Sequence, residues 1–348
     1  MTNLHAGRNI LVTGAGGWIG SALTKALARD EPGKLILLDH SERSLYRVDA
    51  DLTARHGSGS HKSILGDVGD AKLLDEIFEL YGPEIVYHAA AYKHVPLLED
   101  NPIAAIRNNA LGTNTLARAA ECQGPSTLVM ISTDKAVEPA SILGASKRVA
   151  ELALLRWNSP RTPMNALRLG NVYGSEGSVV PAFRQQISQG GPVTVTHPDA
   201  ERYFVPLEKA LELIFLVAAL SDGGGIFAPD LGAPVRIVDV AKQMMAEMPG
   251  ANGQQVPVVF TTLRPGDKKT EKMSGEREWL ETTSDSRLSR VRTSGNCLER
   301  YDALIRELAK GVEERDLASA IEILRELVPE YKPREEILSL RENPAARI

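Results

Sequence analysis

Runs in which nearly every position is apolar recur through the first half of the chain. Asn9-Ile-Leu-Val-Thr13 and Leu35-Ile-Leu-Leu-Asp39 are two of them, and Glu84 to Ala90 and Thr127 to Thr133 repeat the pattern. A strand that is apolar at successive positions is buried on both faces, as in a parallel sheet covered by helices. Between the first two runs, Leu23, Leu27 and Ala28 give Ser21 to Arg29 a helical spacing. Alternating strands and helices predict an α/β fold with a doubly wound parallel sheet. Leu213 to Leu220 is the longest strongly apolar run. It follows Glu212 and is too short to span a bilayer, so it is expected to be a buried helix.

The second half has a different texture. Gly170 to Pro198 is rich in Gly, Ser, Pro and Thr, which predicts loops and a change of domain. Leu298, Tyr301, Leu304, Ile305 and Leu308 fall three or four apart, as do Leu317, Ile321, Leu324 and Val328 after an N-cap at Asp316. These are expected to be two amphipathic helices packed on a smaller domain. Their polar faces mix both charge signs, which disfavours a membrane-surface role.

Composition narrows the class. The chain has 348 residues, 43% hydrophobic and 24% charged, with a net charge of −5. That length can bury a large core and excludes a disordered tail, a collagen-like repeat or a small disulfide scaffold. The acidic balance argues against a nucleic-acid partner. Cys122 and Cys297 are far apart, with no Cys-x-x-Cys. A structural zinc site or a disulfide framework is therefore not expected, and a reducing cytoplasm fits. Met1 to Arg8 is polar and leads into the first strand, so no signal peptide is expected.

The first chemical signal follows the first strand. Thr13-Gly-Ala-Gly-Gly-Trp-Ile-Gly20 joins that strand to the first helix. Gly14 would permit the tight turn, Gly17 the approach of a pyrophosphate, and Gly20 close helix–sheet packing. The helix N-terminus adds unpaired N–H groups and a positive dipole end. Asp39, ending the second strand, is placed to accept hydrogen bonds from the adenosine ribose. That favours NAD, with NADP as the alternative because Arg43 lies near. Asp67, in Gly66-Asp-Val-Gly-Asp70 after a third short strand, is the candidate for the adenine edge.

Further motifs carry a resemblance. They are Tyr87-His-Ala-Ala-Ala-Tyr-Lys-His-Val-Pro96, Ser132-Thr-Asp-Lys-Ala-Val137, Gly144-Ala-Ser-Lys147, Arg168-Leu-Gly-Asn171, Gly190 to Pro198, Arg202-Tyr-Phe204 and Leu263-Arg-Pro-Gly-Asp267. Together they resemble the extended short-chain dehydrogenase/reductase family, and within it the CapD-type polysaccharide-biosynthesis group, the UDP-N-acetylglucosamine 4,6-dehydratases. The resemblance implies a Rossmann-like sheet of about seven parallel strands with a smaller C-terminal substrate domain. Residues 1–175, with a return segment near 203–235, would form the NAD(P)-binding domain. Residues 176–202 and 236–348 would form the substrate domain and C-terminal helices. It also implies a UDP-sugar in the cleft and a homo-oligomer.

The reaction implied is an internal redox elimination that gives a 4-keto-6-deoxy sugar. It needs a base at sugar carbon 5 and an acid at carbon 6. The resemblance gives these roles to Lys135 and Asp134. Burial is expected to lower the lysine pKa and raise that of the acid. Thr133 is the candidate to orient the carbon-4 hydroxyl. Lys147 matches the family lysine that holds the nicotinamide ribose, but Leu143 stands where the usual tyrosine would be; some CapD-type members also carry an apolar residue there.

The residues expected at the cofactor are Gly14, Gly17, Trp18, Ile19, Gly20, Asp39, Ser41, Asp67, Val68, Ala89, Ala90, Ala91, Asn109 and Lys147. Those expected at the substrate are Lys93, His94, Asn171, Ser178, Val179, Arg202 and Arg264, the arginines suiting a diphosphate. His88 is taken as structural, and a His88–His94 metal pair is rejected because six residues do not share a helix face. Glu176 and Glu201 depart from the group by adding negative charge near an anionic substrate, so the sugar can differ from N-acetylglucosamine. Other readings are a 4-epimerase or reductase of the same fold, against which Leu143 counts, and a non-catalytic NAD(P)-binding regulator, against which Asp134 and Lys135 count.

Overall fold

The computed structural model describes residues 4–175, 177–220, 223–248, 256–294 and 298–334. Glu176 and Cys297 lie outside the described residues. From the N-terminus the elements run β1 (Asn9–Thr13), α1 (Trp18–Leu27), β2 (Lys34–Asp39), α2 (Glu42–His56), β3 (His61–Leu65), α3 (Ala71–Tyr81), β4 (Ile85–His88), α4 (Val95–Asp100), α5 (Pro102–Ala105), a π turn at Ile106–Leu111, α6 (Gly112–Gln123), β5 (Thr127–Thr133), α7 (Ile142–Trp157) and β6 (Met164–Leu169). The strands pair in the order β3-β2-β1-β4-β5-β6 and then Gly225–Pro229, all parallel. This is the doubly wound α/β architecture expected from the continuous apolar runs. β1, β2 and β5 consist almost wholly of buried residues because both faces of the sheet are covered.

One face carries α1, α2 and the helix Leu207–Ala219, whose Leu213, Ile214 and Val217 join a core with Ile10, Val12, Leu35 and Leu37. The other carries α3, α6 and α7 against Leu11, Ile36, Val86 and Met130. A separate small core gathers Phe183, Ile187, Val193, Val195, Ile237, Val240 and Ala241. No helix among the described residues is long and apolar enough to cross a membrane.

Three sequence expectations are corrected here. The segment 170–198 is not only loop, since Val179–Ser188 is a helix buried through Phe183 and Ile187. Residues 236–348, expected in the substrate domain and C-terminal helices, include Leu288–Thr293 and Glu278–Thr282, which extend the main sheet antiparallel beyond Gly225–Pro229. The C-terminal helices Tyr301–Glu313 and Leu317–Leu327 have the expected stripes, and Asp316 caps the second through the Ser319 N–H. Their apolar residues, however, join Ile106, Ile142 and Val149 of the main domain. An apolar stripe shows which face of a helix is buried, but not what buries it.

Candidate active site

In a doubly wound sheet, ligands lie beyond the carboxyl ends of the strands, where the strand order reverses. Here the reversal falls between β1 and β4, and a cavity of about 210 Å³ opens there. Gly14, Gly17, Asp39, Ser41, Val68, Ala89, Ala90 and Ala91, all named above as candidates for the cofactor, line it. Gly14 has φ +67°, and a Cβ on it would come 2.5 Å from the Ala90 backbone nitrogen. A Cβ on Gly20 would collide with the Gly14 carbonyl. Only glycine therefore lets the strand turn and the α1 N-terminus reach the cavity. The first-turn N–H groups of α1 at Trp18, Ile19 and Gly20 have no intrahelical acceptors. This backbone cradle fits the pyrophosphate of a dinucleotide.

Asp39 is buried at the cavity wall. Its Oδ2 accepts the Gly16 N–H and its Oδ1 the Ser41 N–H, both at 2.8 Å. The carboxylate thus shapes both the glycine loop and the start of α2. Asp39→Ala is expected to relax any preference for NAD over NADP; titration with both dinucleotides checks it, and an unchanged preference would exclude Asp39 as the discriminator. Two members of the expected cofactor set act otherwise. Asn109 makes no cavity wall. Its Oδ1 accepts the Tyr92 N–H at 2.8 Å and its Nδ2 donates to the Tyr92 carbonyl at 3.0 Å, so it pins the loop after β4. Asp67 is exposed and its Oδ1 accepts the Gly69 N–H at 2.7 Å, closing its own turn. His40, Ser44, Gly66 and Tyr92 line the cavity without having been expected. His40 and Tyr92 meet edge to face at 5.6 Å across the two lips, a pairing that strands distant in sequence create.

The second group of residues stands at the end of β5. Lys135 Nζ donates to Asp134 Oδ1 at 2.8 Å and to Asn171 Oδ1 at 3.2 Å. Thr133 Oγ1 donates to the same Asp134 oxygen at 3.0 Å. Asp134 Oδ2 is buried without a partner. Emergence from the end of a strand predicts that Thr133-Asp134-Lys135 faces the cleft, but the Asp134 side chain is 0% exposed, against 18% for Lys135. The acid lies beneath its neighbours and reaches outward through them. The expected lowering of the Lys135 pKa is also reversed. Burial opposes the charge, but Asp134 and Glu271 outweigh it, so the pKa is raised. Glu271, buried and 3.8 Å from Lys135 Nζ, was not expected.

Lys147 projects from α7 to donate to the Ile131 carbonyl at 2.8 Å. Burial pushes its pKa down to about 8, with Glu151 partly offsetting it. Gly144 packs where a Cβ would collide with the Lys135 carbonyl, so α7 lies directly against the β5 loop. His88 is held between Thr13 Oγ1 at 2.6 Å and Thr113 Oγ1 at 2.8 Å; burial, then Lys147, brings its pKa to about 3. That is a neutral structural histidine. Among the described residues no group of three or more His, Cys, Asp or Glu could hold a metal ion.

Of the expected substrate residues, Asn171 and Arg202 bear on this cluster. Asn171 touches Lys135 directly. Lys93 and His94 are exposed before and at the head of α4, and His94 abuts Gly177. Ser178 heads the helix Val179–Ser188, with its Oγ buried and without a partner. Arg202 is buried and donates to the carbonyls of Glu201 at 2.7 Å and Lys269 at 3.0 Å. Arg264 is exposed and paired with Asp267 at 2.8 Å. Glu201 accepts from Thr270 Oγ1 at 3.0 Å.

Similarity to known proteins agrees with this geometry. The chain is 44% identical over 282 residues to the probable polysaccharide biosynthesis protein EpsC of Bacillus subtilis, covering 80% of this chain and 47% of that protein. It spans about half the length of the first curated relatives it matches. It is 32% identical to a UDP-N-acetylglucosamine 4,6-dehydratase (inverting) of Campylobacter jejuni, over 65% of this chain and 67% of that one. The X-ray structure of Pen from Bacillus thuringiensis superposes with a TM-score of 0.71 at 27% identity, covering 77% of this chain and 83% of that one. A family model described as "Polysaccharide biosynthesis protein" matches residues 10–293, and the chain belongs to this family of extended short-chain dehydrogenase/reductase proteins.

Proposed function

We propose that the protein is a nucleotide-sugar 4,6-dehydratase that takes UDP-N-acetylglucosamine or a related UDP-sugar to its 4-keto-6-deoxy form, with NAD held in the glycine cradle. The observation that carries this reading is the Thr133–Asp134–Lys135 cluster at the end of β5, an acid and an amine joined at 2.8 Å, combined with leucine at position 143. An epimerase or reductase relies on a tyrosine there to move the hydroxyl proton. An elimination also needs a separate base and acid, and this cluster supplies both.

The glycine cradle at Gly14, Gly17 and Gly20 would hold NAD, whose chemistry there would be reversible hydride acceptance between sugar carbons 4 and 6. Lys147 would hold the nicotinamide ribose. Thr133 would orient the carbon-4 hydroxyl and, as the ketone forms, relay its proton to the Asp134 carboxylate, to which its own hydroxyl donates at 3.0 Å. Lys135 would take the carbon-5 proton, made acidic by the neighbouring ketone, and restore one when the hydride arrives at carbon 6. Asp134 would supply the proton with which the carbon-6 hydroxyl leaves as water. Because Asp134 is fully buried, its proton would pass through the Thr133 hydroxyl. Lys135 must shed a proton before acting as base, and the two carboxylates beside it make that the demanding step. Arg202, Arg264 and Lys93 offer positive charge for the diphosphate, with His94 a ring that can donate a hydrogen bond.

Incubating the purified protein with NAD and UDP-N-acetylglucosamine tests the reading; a product lighter by one water supports it, and unchanged sugar or a carbon-4 epimer contradicts it. Leu143 adds a prediction. It is 4% exposed, within an apolar cluster that also contains Val95, Leu98 and Ile142. Leu143→Ala is expected to keep measurable dehydration while lowering stability by about 2–5 kcal/mol, read by thermal melting and turnover. Loss of all activity in a folded, cofactor-bound variant would place the side chain in the reaction itself.

A further inference from the structure

Glu271 meets the β5 cluster from a segment far away in sequence. It is 2% exposed. Its Oε1 stands 3.8 Å from Lys135 Nζ, and its Oε2 lies 2.8 Å from Lys268 Nζ. Lys268 Nζ also donates to the Val137 carbonyl at 2.9 Å, on the loop that leaves Lys135. The same loop is fastened to this segment twice more. Glu138 accepts the Glu276 N–H at 2.8 Å and pairs with Lys272 at 3.1 Å. Glu271 is therefore fixed beside Lys135 by the fold, rather than swinging from a mobile surface chain.

Four charged groups bear on the Lys135 amine. Asp134 touches it at 2.8 Å, Glu271 stands at 3.8 Å, Arg202 opposes its charge, and Lys268 acts through Glu271. Asn171 contributes a neutral oxygen at 3.2 Å. We infer that Glu271, clamped by Lys268, is a positioning residue that sets the charge of the Lys135 amine and so the pH at which Lys135 starts to act as a base. The catalytic half of this inference rests on the dehydratase reading; the electrostatic half does not.

The two clamp partners make predictions of opposite sign. An opposite charge within about 4–6 Å stabilises the charged form, and a like charge destabilises it. Glu271→Gln removes a negative charge and leaves Lys268 unpaired, so both changes favour the neutral amine. Lys268→Met leaves the Glu271 charge uncompensated and favours the ammonium. Lost packing alone would not drive the two variants apart.

The test is competitive acetylation of the full chain across a pH series, with Lys135 labelling read by peptide mass spectrometry, and with solvent exchange of the substrate's carbon-5 proton followed in parallel. The labelling midpoint of Lys135 is expected to fall by about one pH unit or more in Glu271→Gln and to rise in Lys268→Met. The alkaline-going limb of the exchange rate should follow in each case. Midpoints that stay with the wild type, or that move in the same direction, overturn the inference. Divergent midpoints in a protein that shows no carbon-5 exchange uphold the electrostatic role and remove the dehydratase reading. Exchange with unmoved midpoints does the reverse. If Glu271→Gln does not fold, Lys268→Met decides alone: a rise supports the inference and no rise overturns it.

Discussion

Replacing Lys135 with alanine should slow exchange of the sugar's carbon-5 proton with solvent deuterium by about 10²- to 10⁴-fold, the usual contribution of a general acid–base group, while nucleotide binding persists. The geometry supports so large an effect. Lys135 is the member of its ion pair that keeps exposed surface, 18% against 0% for Asp134. Asn171 and Asp134 fix its amine from two sides. Asp134→Asn should behave differently, preserving the exchange better than it preserves loss of water, because the amide keeps the shape but supplies no acidic proton. Lys135→Ala protein that exchanges at the wild-type rate would refute the base assignment and leave Lys93 as the next lysine to examine.

Glu151→Leu should destabilise the fold by about 3–5 kcal/mol, the cost of breaking a buried ion pair from one side. One carboxylate here serves three side chains. Glu151 Oε1 accepts from Ser132 Oγ at 2.7 Å and Arg168 Nε at 2.9 Å, and its Oε2 accepts from Arg168 Nη2 and Arg148 Nη1, each at 2.8 Å. Arg168 continues to Glu278, and Arg148 to Glu278 and Glu330. The network ties β5, β6 and α7 to the added antiparallel strand, one residue from Thr133. Burial alone would raise the Glu151 pKa, but Arg168 and Arg148 hold it at about 2, below its ordinary 4.5. The unfolded chain binds the extra proton first. The stabilisation is therefore complete above pH 4.5 and is lost as the pH falls toward about 2. Denaturant unfolding at neutral and acid pH checks this. A variant within the about 0.5 kcal/mol typical of a surface change would contradict it.

Much of this was legible from the chain because burial on both faces leaves a continuous apolar signature. β5 has the bounds that its run of residues suggests, Thr127–Thr133. The added strands Glu278–Thr282 and Leu288–Thr293 were not legible, since charged residues interrupt both and most of the first is exposed. The helix Val179–Ser188 was hidden by the Gly- and Ser-rich segment around it, although Phe183 and Ile187 are four apart. At the site, Asp134 and Lys135 are neighbours in sequence and so could be read as a pair. The charge of Lys135 could not, because Glu271 reaches it only through the tertiary fold. Asn109 illustrates a similar limit: it was expected at the cofactor, and its attachment to the Tyr92 backbone depends on how the loop after β4 folds.

The central claim is that carbon 4 is oxidised and carbon 6 reduced within one sugar, with the same hydride leaving and returning. The most direct measurement follows deuterium in UDP-N-acetylglucosamine labelled at carbon 4, converted by the purified protein with NAD and read by NMR. The account predicts that the label appears in the carbon-6 methyl group of a 4-keto product. Label retained at carbon 4 of an epimer, or delivered to free NADH with no methyl group formed, would contradict it.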